Sequence, residues 1–237
     1  MESNPRHVGI ILDGNRRYAR ELMKTPWYGH KAGIRKAREV LTWAEEFGIP
    51  YVSAYVLSAE NYRSRPKREL EMILKYFGEE LDVILTEDHP VHTTKTRVRF
   101  IGRLEMLPLE LQKQMHKVES LTSRYSKHFL TVCVAYGGQQ EIVDACRAIA
   151  ERVSGGTIRA NEIDERLFAH YLYMNGEIPY PDMIVRTGGE KRLSNFLIWQ
   201  SAYAELFFVD KRWPELDKRT FVRVLDEYRK RQRRFGK

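Results

Sequence analysis

A carboxylate beside several arginines lies near the start of the sequence. Asp13 follows the apolar run 8–12 directly, and Gly14 and Asn15 separate it from Arg16, Arg17 and Arg20. Glycine lets a backbone approach a ligand closely, and a helix starting near Asn15 would direct free N–H groups at an anion. Each arginine adds charge-assisted hydrogen bonds of about 1.5–3 kcal/mol. The segment fits a diphosphate site in which a divalent cation, expected to be Mg²⁺, links carboxylate and phosphate. The alternative is that Asp13 only caps a helix.

A second basic segment follows a short apolar run late in the chain. Arg186 comes first, Gly188 and Gly189 supply an unhindered turn, and Arg192 and Ser194 can converge on one anion. Arginine forks match phosphate oxygens better than lysine does. The segment is neither a Walker A loop nor a Rossmann fingerprint. An ordinary turn with solvated arginines is the alternative, but two such segments together indicate two phosphorylated substrates.

Apolar runs alternate with amphipathic stretches along the whole chain, which predicts an α/β fold. We expect one domain over 1–237 with a central, mainly parallel sheet of about six strands flanked by helices. The predicted strands cover 8–12, 51–57, 98–101, 129–135, 183–185 and 205–209. The predicted helices cover 31–47, 67–87, 109–125, 141–153, 164–174 and 218–233. Ligands of such sheets bind beyond the carboxyl ends of the strands, so Asp13 and Arg186 should lie at the same edge.

The composition limits the classes of protein. The 237 residues are 43% hydrophobic, enough for one sizeable core, and the net charge of +8 favours a polyanionic partner. Nucleic acid, anionic lipid and diphosphate all fit that charge, as does a basic solvated surface. No apolar run is long enough to span a membrane and no signal peptide is recognisable, which predicts a soluble, cytoplasmic protein. Cys133 and Cys146 lack metal-ligand spacing and are predicted to be buried thiols.

Several segments together resemble the cis-prenyltransferases, the family of undecaprenyl and dehydrodolichyl diphosphate synthases. The segments that resemble the family occur in its order and cover 7–19, 29–33, 58–62, 135–138, 186–197, 199–200 and 203–205. The run Arg16-Arg17-Tyr18 resembles archaeal or eukaryotic members more than bacterial ones, whereas the RRFG-type tail also resembles bacterial members, so source and product stay open. No DDxxD motif of the all-helical trans-prenyl synthases occurs. The resemblance implies a parallel sheet flanked by helices, and a homodimer or heterodimer.

The resemblance also implies the reaction and the role of each residue. The enzyme would condense isopentenyl diphosphate onto farnesyl or geranylgeranyl diphosphate, giving a long-chain Z-polyprenyl diphosphate for a glycosyl carrier lipid. Asp13 would hold Mg²⁺ and assist departure of the diphosphate, and Glu205 would be a second Mg²⁺ ligand, which some members contribute across the dimer. Asn61 and Ser58 would lie near the site of proton removal.

The resemblance also implies four groups of substrate-binding residues. The allylic diphosphate group is Gly14, Asn15, Arg16, Arg17, Tyr18 and His30. The group around the 58–65 segment is Ser58, Ala59, Glu60, Tyr62, Arg63 and Arg65. The isopentenyl diphosphate group is Arg186, Arg192, Leu193 and Ser194. The tail group is Arg234 and Gly236, for which a frayed basic end is an equal alternative.

Three positions depart from the family pattern. Pro26 stands where bacterial members often have an arginine, so the allylic phosphate would depend on Arg16 or Arg20 instead. Lys191 replaces a frequent histidine, and the loop after Tyr62 is one residue longer, so either Arg63 or Arg65 could have the usual role.

The growing product needs an apolar tunnel, although such apolar stripes are usually ordinary core. The candidate wall residues are Leu70, Ile73, Leu74, Phe77, Leu81, Ile84, Leu85, Val56 and Val132. A lipid product would also bring peripheral membrane contact.

One rival interpretation is a catalytically silent subunit, which would lack much of the phosphate-binding set present here. The other, a nucleic-acid-binding protein, predicts arginines interleaved with exposed aromatic residues, whereas here they gather with glycines at strand ends.

Overall fold

Six strands form one sheet in the computed structural model, which describes residues 4–86 and 89–231. The strands are β1 (His7–Ile11), β2 (Tyr51–Ser58), β3 (Thr96–Ile101), β4 (His128–Tyr136), β5 (Met183–Arg186) and β6 (Glu205–Phe208). Their order across the sheet is β3-β4-β2-β1-β5-β6, and every neighbouring pair is parallel. The prediction of an α/β fold around a parallel six-stranded sheet is confirmed.

Helices connect the strands and cover both faces of the sheet. They are α1 (Asn15–Glu21), α2 (Pro26–Glu46), α3 (Ala59–Ser64), α4 (Lys67–Ile84), α5 (Pro90–Thr93), α6 (Leu109–Thr122), α7 (Gly138–Ser154), α8 (Glu165–Tyr171) and α9 (Lys218–Lys230). The six predicted helices are all present, but α2 begins five residues earlier than predicted. Pro26 occupies its first turn, where a missing N–H costs nothing. No described helix is long and apolar enough to cross a membrane.

The apolar side chains form two clusters, one on each face of the sheet. The larger cluster lies between the sheet and the helices α2, α4, α6 and α9. The smaller one lies on the other face and includes Cys133, Tyr136 and Phe196. The prediction of a buried thiol is right for Cys133 and wrong for Cys146, which is exposed. On α7 it is Ala145 that is buried against the fold, and the next residue along a helix points about 100° away.

Candidate active site

Asp13 and Arg186 meet at the carboxyl ends of the neighbouring strands β1 and β5. Arg186 ends β5 and pairs in register with Ile11, two residues before Asp13. Its Nη2 donates to Asp13 Oδ2 at 2.8 Å, and Arg17 Nη2 lies 3.3 Å from the other carboxylate oxygen. Helix α1 is capped by Gly14 with no side-chain hydrogen bond, so Asp13 is not the helix cap that the alternative interpretation required. The expectation that Asp13 and Arg186 share one sheet edge is confirmed.

Arg186 also holds the second basic segment in place. Its guanidinium is buried, with the residue only 4% exposed. Nη1 donates to Ser194 Oγ at 2.7 Å and to the carbonyl of Arg192. Ser194 has a positive φ of 50°, a conformation that costs energy for a residue with a Cβ. One arginine therefore joins the carboxylate of the first segment to the strained loop of the second.

The backbone of Asp13 is fixed from the other side. Thr187 Oγ1 and the Trp213 N–H both donate to its carbonyl oxygen, each at 2.8 Å. Gly188 has a φ of 86°, and a Cβ there would lie 2.6 Å from Arg17 Nη2. Only glycine can take that position without moving an arginine that contacts Asp13.

Two adjoining polar pockets open at this edge of the sheet, with volumes of about 730 Å³ and 370 Å³. Asp13, Asn15 and His30 line both of them. The arginines that line one or both are Arg16, Arg17, Arg20, Arg65, Arg186 and Arg192. These six arginines outnumber the carboxylates of the lining, which are Asp13, Glu60 and Glu190. The pockets therefore have the cationic surplus that two diphosphates need.

A buried carboxylate organises one wall of these pockets. Glu69 is 4% exposed and accepts a hydrogen bond from Arg65 at 2.5 Å, while Arg16 Nε lies 3.6 Å away. His30 Nε2 lies 3.3 Å from both Glu69 Oε1 and Arg65 Nη1. Burial raises the pKa of Glu69, but the neighbouring cations outweigh it and the net pKa is lowered. Burial, together with Arg65, lowers the pKa of His30 to about 4, so the imidazole is neutral at pH 7.

The turn after β2 carries the residues predicted for proton removal. A bulge in β2 shifts its register around Leu57, and Ser58 then caps α3 by accepting the Asn61 N–H at 3.0 Å. The side chains of Ser58 and Asn61 line the larger pocket. Glu60 also lines it and accepts a hydrogen bond from Asn195 at 2.8 Å.

The extra length of this loop places its two arginines differently. Arg65 lines both polar pockets, whereas Arg63 is exposed and lines neither. The geometry therefore favours Arg65 over Arg63 as the arginine with the usual phosphate-binding role, and that role stays a prediction.

Five predicted substrate-binding residues do not line the two polar pockets: Tyr18, Ala59, Tyr62, Arg63 and Leu193. Tyr18 stacks on Tyr28, and the Tyr62 hydroxyl donates to the Met106 carbonyl at 2.5 Å. Ala59 is fully buried, and Leu193 packs against the smaller core cluster. Their assigned roles stay predictions, and Arg234 and Gly236 lie outside the described residues.

Glu205 lies at the opposite edge of the sheet from Asp13. It begins β6 in register with Met183, the first residue of β5, and forms an ion pair with Arg231 at 2.6 Å. Five residues of strand separate the two edges, about 16 Å. One chain therefore does not bring Glu205 to Asp13, and its predicted metal role requires a second chain.

A magnesium ion fits the chemistry at Asp13. Within 4–86 and 89–231, no three His, Cys, Asp or Glu side chains are grouped to hold a metal without further ligands. Mg²⁺ commonly takes one or two carboxylates and completes its octahedron with phosphate oxygens and water. Asp13, whose carboxylate is 29% exposed and faces the arginine-lined pocket, meets that requirement if a diphosphate is bound.

An apolar cavity of about 130 Å³ continues from the polar pockets beneath one face of the sheet. Leu12, Asn15, His30 and Val56 line both the cavity and the larger polar pocket, so the two adjoin. The predicted tunnel residues in its wall are Val56, Ile73, Phe77, Leu81, Ile84 and Val132. Leu70, Leu74 and Leu85 pack elsewhere against the larger core cluster.

Sequence reasoning missed several residues that shape the site, namely Glu69, Thr187, Glu190 and Trp213. Glu190 pairs with Arg192 at 2.6 Å and lies 3.8 Å from Arg17. Glu69 had a usable signal, because Arg65 and Glu69 are four residues apart at the start of a predicted helix. Nothing local to Trp213 indicates that its backbone binds Asp13, since the contact spans 200 residues of chain.

Comparisons with known proteins agree with this geometry. Residues 11–236 match the family described as "Putative undecaprenyl diphosphate synthase". The tritrans,polycis-undecaprenyl-diphosphate synthase (geranylgeranyl-diphosphate specific) of Methanopyrus kandleri is 48% identical over 233 residues, 98% of this chain and 85% of that protein. The protein of the same name from Methanocaldococcus jannaschii is 47% identical over 98% of this chain and 83% of its own length.

Solved structures show the same fold over the whole chain. Lavandulyl diphosphate synthase from Lavandula x intermedia, in complex with dimethylallyl diphosphate, superposes with a TM-score of 0.92 at 32% identity, covering 99% of both chains. A probable undecaprenyl diphosphate synthase from Campylobacter jejuni gives a TM-score of 0.79 at 30% identity, covering 99% of this chain and 100% of that one. The similarity extends across the pocket-forming segments, and the chain belongs to the undecaprenyl diphosphate synthase family of prenyltransferases.

Proposed function

We propose that this enzyme condenses isopentenyl diphosphate units onto geranylgeranyl diphosphate and releases a Z-polyprenyl diphosphate of about undecaprenyl length. The observation that carries the proposal is the Asp13–Arg186 contact, which joins two arginine-lined segments at the mouth of an apolar cavity. Farnesyl diphosphate is the other primer that the sequence suggested. The archaeal relatives named for geranylgeranyl specificity favour the longer one. A glycosyl carrier lipid is the expected use of the product.

The reaction uses two diphosphate substrates: the allylic substrate loses its diphosphate, whereas isopentenyl diphosphate keeps its own. The allylic carbon–oxygen bond breaks, its electrons leave with the diphosphate, and the double bond of isopentenyl diphosphate attacks the allylic cation. The resulting tertiary cation then loses a proton to give the new double bond. We assign the allylic diphosphate to the side formed by Asn15, Arg16 and His30, and the isopentenyl diphosphate to Arg186, Arg192 and Ser194. Arginine donors stabilise the charge that develops on the leaving group.

Asp13 and Glu205 are the proposed contacts for magnesium. Bound Mg²⁺ would neutralise charge on the diphosphate oxygens and so favour departure of the leaving group. Asp13 would hold the ion from this chain, and Glu205 would contribute only from a second subunit of a homodimer. Arg17 and Arg186 already hold the Asp13 carboxylate toward the pocket.

Asn61 is proposed to position a substrate oxygen rather than to act as the base. An amide is a poor proton acceptor, and Asn61 lines the pocket beside the Ser58 hydroxyl. A diphosphate oxygen can accept the proton if Asn61 orients it.

The part of the product tail nearest the diphosphate is proposed to enter the apolar cavity, whose walls exclude water that would quench the allylic cation. A product with such a tail also suits peripheral contact with a membrane.

Incubation of the purified protein with Mg²⁺, labelled isopentenyl diphosphate and each allylic primer in turn tests the proposal. Primers from dimethylallyl to geranylgeranyl diphosphate should be compared, and chromatography of the products gives activity, primer preference and chain length together. Geranylgeranyl diphosphate should be extended most efficiently. Activity should disappear with a chelator and return with added Mg²⁺. No incorporation with any primer would refute the function, and full activity without a divalent cation would refute the role of the metal.

Replacement of Asp13 by alanine should nearly abolish isopentenyl incorporation while the fold survives, because the Asp13 side chain is partly exposed and the Arg186 guanidinium keeps its bonds to Ser194 and to the Arg192 carbonyl. Asp226→Ala is a matched control, since Asp226 is an exposed carboxylate on α9 paired with Arg229. Near-normal turnover of the Asp13 variant would contradict the mechanism.

A further inference from the structure

An exposed apolar patch lies in the connection from α1 into the first turn of α2. Met23 is 93% exposed, the highest value among the large apolar residues that the structure describes. Leu22 is 43% exposed and Tyr28 38%, and Trp27 is half-buried beside them. These four residues are here called the loop patch. Single exposed apolar side chains are ordinary, but four within one short connection form a surface of the kind that contacts a partner.

The end of α1 holds Met23 in its exposed position. The Lys24 N–H donates to the Ala19 carbonyl at 2.8 Å. The Met23 N–H donates to the Arg20 carbonyl at 3.0 Å. This pair of bonds is a Schellman motif, whose left-handed position is usually glycine. Met23 takes that position with a φ of 52°, which is unfavourable for a residue with a Cβ. Glycine would end the helix better, so the methionine requires another explanation.

Cationic side chains surround the loop patch. Segment 16–31 contains five Lys or Arg and one acidic residue, and segment 61–68, around the start of α4, contains four Lys or Arg and no acidic residue. Arg68 lies over the Trp27 ring at 5.4 Å from its centroid, so the two segments are neighbours in the fold. The acidic residue, Glu21, is ion-paired with an arginine from outside both segments. The two segments therefore give the surface around the loop patch a positive charge.

The loop patch adjoins the opening of the phosphate pockets. Arg20, two residues before Leu22, lines the smaller polar pocket. His30, two residues after Tyr28, lines both polar pockets. A surface that docked on the loop patch would therefore lie beside the opening of the diphosphate site.

We propose that the loop patch docks the enzyme on an anionic lipid bilayer, with Leu22 and Met23 inserted among the headgroups and the surrounding cations on lipid phosphates. An apolar tip inside a basic rim suits such an interface, because apolar burial and attraction to anionic lipid act together. The proposal rests on the proposed function for its purpose, since a geranylgeranyl primer and a longer polyprenyl product are both amphiphiles. Docking here would let them exchange between bilayer and pocket with little exposure of their chains to water.

Flotation of the purified protein with vesicles tests the docking without any turnover. Vesicles of equal parts phosphatidylcholine and phosphatidylglycerol should bind the wild type, and vesicles of phosphatidylcholine alone should bind it at least about tenfold more weakly. Leu22→Ser, Met23→Gly should weaken binding to the anionic vesicles at least about tenfold, because two apolar side chains are lost. Glycine suits the left-handed position, so this variant should stay folded. Leu109→Ser, Leu121→Ser removes two exposed leucines from α6 and should bind like the wild type.

A second pair of variants tests the basic rim. Lys24→Glu, Lys67→Glu should weaken binding to the anionic vesicles at least about tenfold, because each lysine near such a surface contributes about fivefold. Lys117→Glu, Lys127→Glu makes the same change in net charge at exposed lysines outside the two segments and should have a much smaller effect. Added salt should weaken binding of the wild type by screening the same attraction.

Activity gives an independent readout. With geranylgeranyl diphosphate supplied in the anionic vesicles, the Leu22→Ser, Met23→Gly variant should be at least several-fold slower than the wild type. With the primer in detergent micelles the two rates should be equal, because neither residue lines the polar pockets or the apolar cavity.

Three results would overturn the docking. The first is wild-type vesicle binding by both patch variants, and the second is an equal loss of binding in the matched controls. The third is a Leu22→Ser, Met23→Gly variant that binds vesicles normally but dissociates an oligomer in sedimentation without lipid, because the loop patch would then join two copies of this chain. A wild type that binds the vesicles and extends no primer would refute the proposed function and support the docking.

Discussion

Glu69 supplies the sharpest test of how the phosphate pockets are built. Its carboxylate is the common partner of Arg65, His30 and Arg16, and it is almost fully buried. Glu69→Gln preserves the shape of the side chain and removes its charge. The guanidinium of Arg65 is then left with an amide in place of a carboxylate. Arg65 Nε already has no hydrogen-bond partner among the described residues, so that atom supplies no bond to replace the lost charge interaction.

The expected cost follows from the burial of both partners. Removing one partner of a buried ion pair costs about 3–5 kcal/mol, because the other charge remains desolvated. Arg65 keeps some solvent access, with a side chain 16% exposed, so we expect about 3 kcal/mol, the lower end of that range. The KM for the allylic diphosphate should also rise, since Arg65 and His30 both line the pocket that Glu69 organises.

Urea unfolding followed by circular dichroism measures the first effect, and steady-state kinetics at saturating isopentenyl diphosphate measures the second. The control is Glu79→Gln on the same helix, where the ion pair with Lys75 is exposed and 3.8 Å long. That variant should cost less than about 1 kcal/mol. If Glu69→Gln costs no more than Glu79→Gln, the Arg65 charge is not desolvated and the account of this wall is wrong.

Two further predictions concern backbone strain and pH. Gly188→Ala should cost about 1–2 kcal/mol from the left-handed backbone and should also lower kcat/KM by displacing Arg17. Gly156→Ala is the control, because its φ is 71° but nothing lies within 4 Å of the new Cβ, so it should lose stability without losing activity. Equal activity of the two variants would contradict a clash between the Gly188 position and Arg17. The pKa of His7 and of His30 is lowered to about 4 from 6.5, for both chiefly by burial. Below pH 6.5 the unfolded chain binds protons that the folded chain rejects, so stability should fall between pH 6.5 and 4, by about 2 kcal/mol per histidine at pH 5. A free energy of unfolding that stays constant from pH 7 to pH 5 would contradict the burial of these rings.

The strand ends and the residues that follow them could be predicted from sequence because both are local properties. A short apolar run followed by Asp13-Gly14 indicates where a buried strand stops, and the same holds for Arg186 before Gly188. Parallel strands place their carboxyl ends at one edge, so the meeting of Asp13 and Arg186 needed no knowledge of strand order. The first turn of α2 was harder to predict, because Gly29 weakens the helical pattern and hides the true start of the helix at Pro26.

The rest depended on strand order and long-range packing, which no local pattern encodes. The resemblance implied that Glu205 is a co-ligand of Asp13, yet Glu205 begins its strand while Asp13 follows the end of another. Cys146 lies in a helical pattern that is apolar enough to suggest burial, but the stripe facing the fold is that of Ala145 and Ile149. Glu69 and Glu80 look like solvated charges on an amphipathic helix. The packing of α4 against α2 shows that Glu80 contacts Arg38, whereas the Arg65 partner of Glu69 is only four residues away in the chain.

The position of β1 explains why one fold holds both a polar site and an apolar cavity. The chain passes from β1 to β2 on one side and reaches β5 on the other, so the connections leave the sheet in opposite directions at β1. Such a switch in strand order opens a crevice at the carboxyl ends, where Asp13 and Arg186 lie. Helix α2 then runs from this crevice back along the sheet, with His30 near the polar end and Arg38 near the other. A single helix therefore lines both the diphosphate site and the apolar path, so the polar and the apolar parts of the site are aligned by the same element.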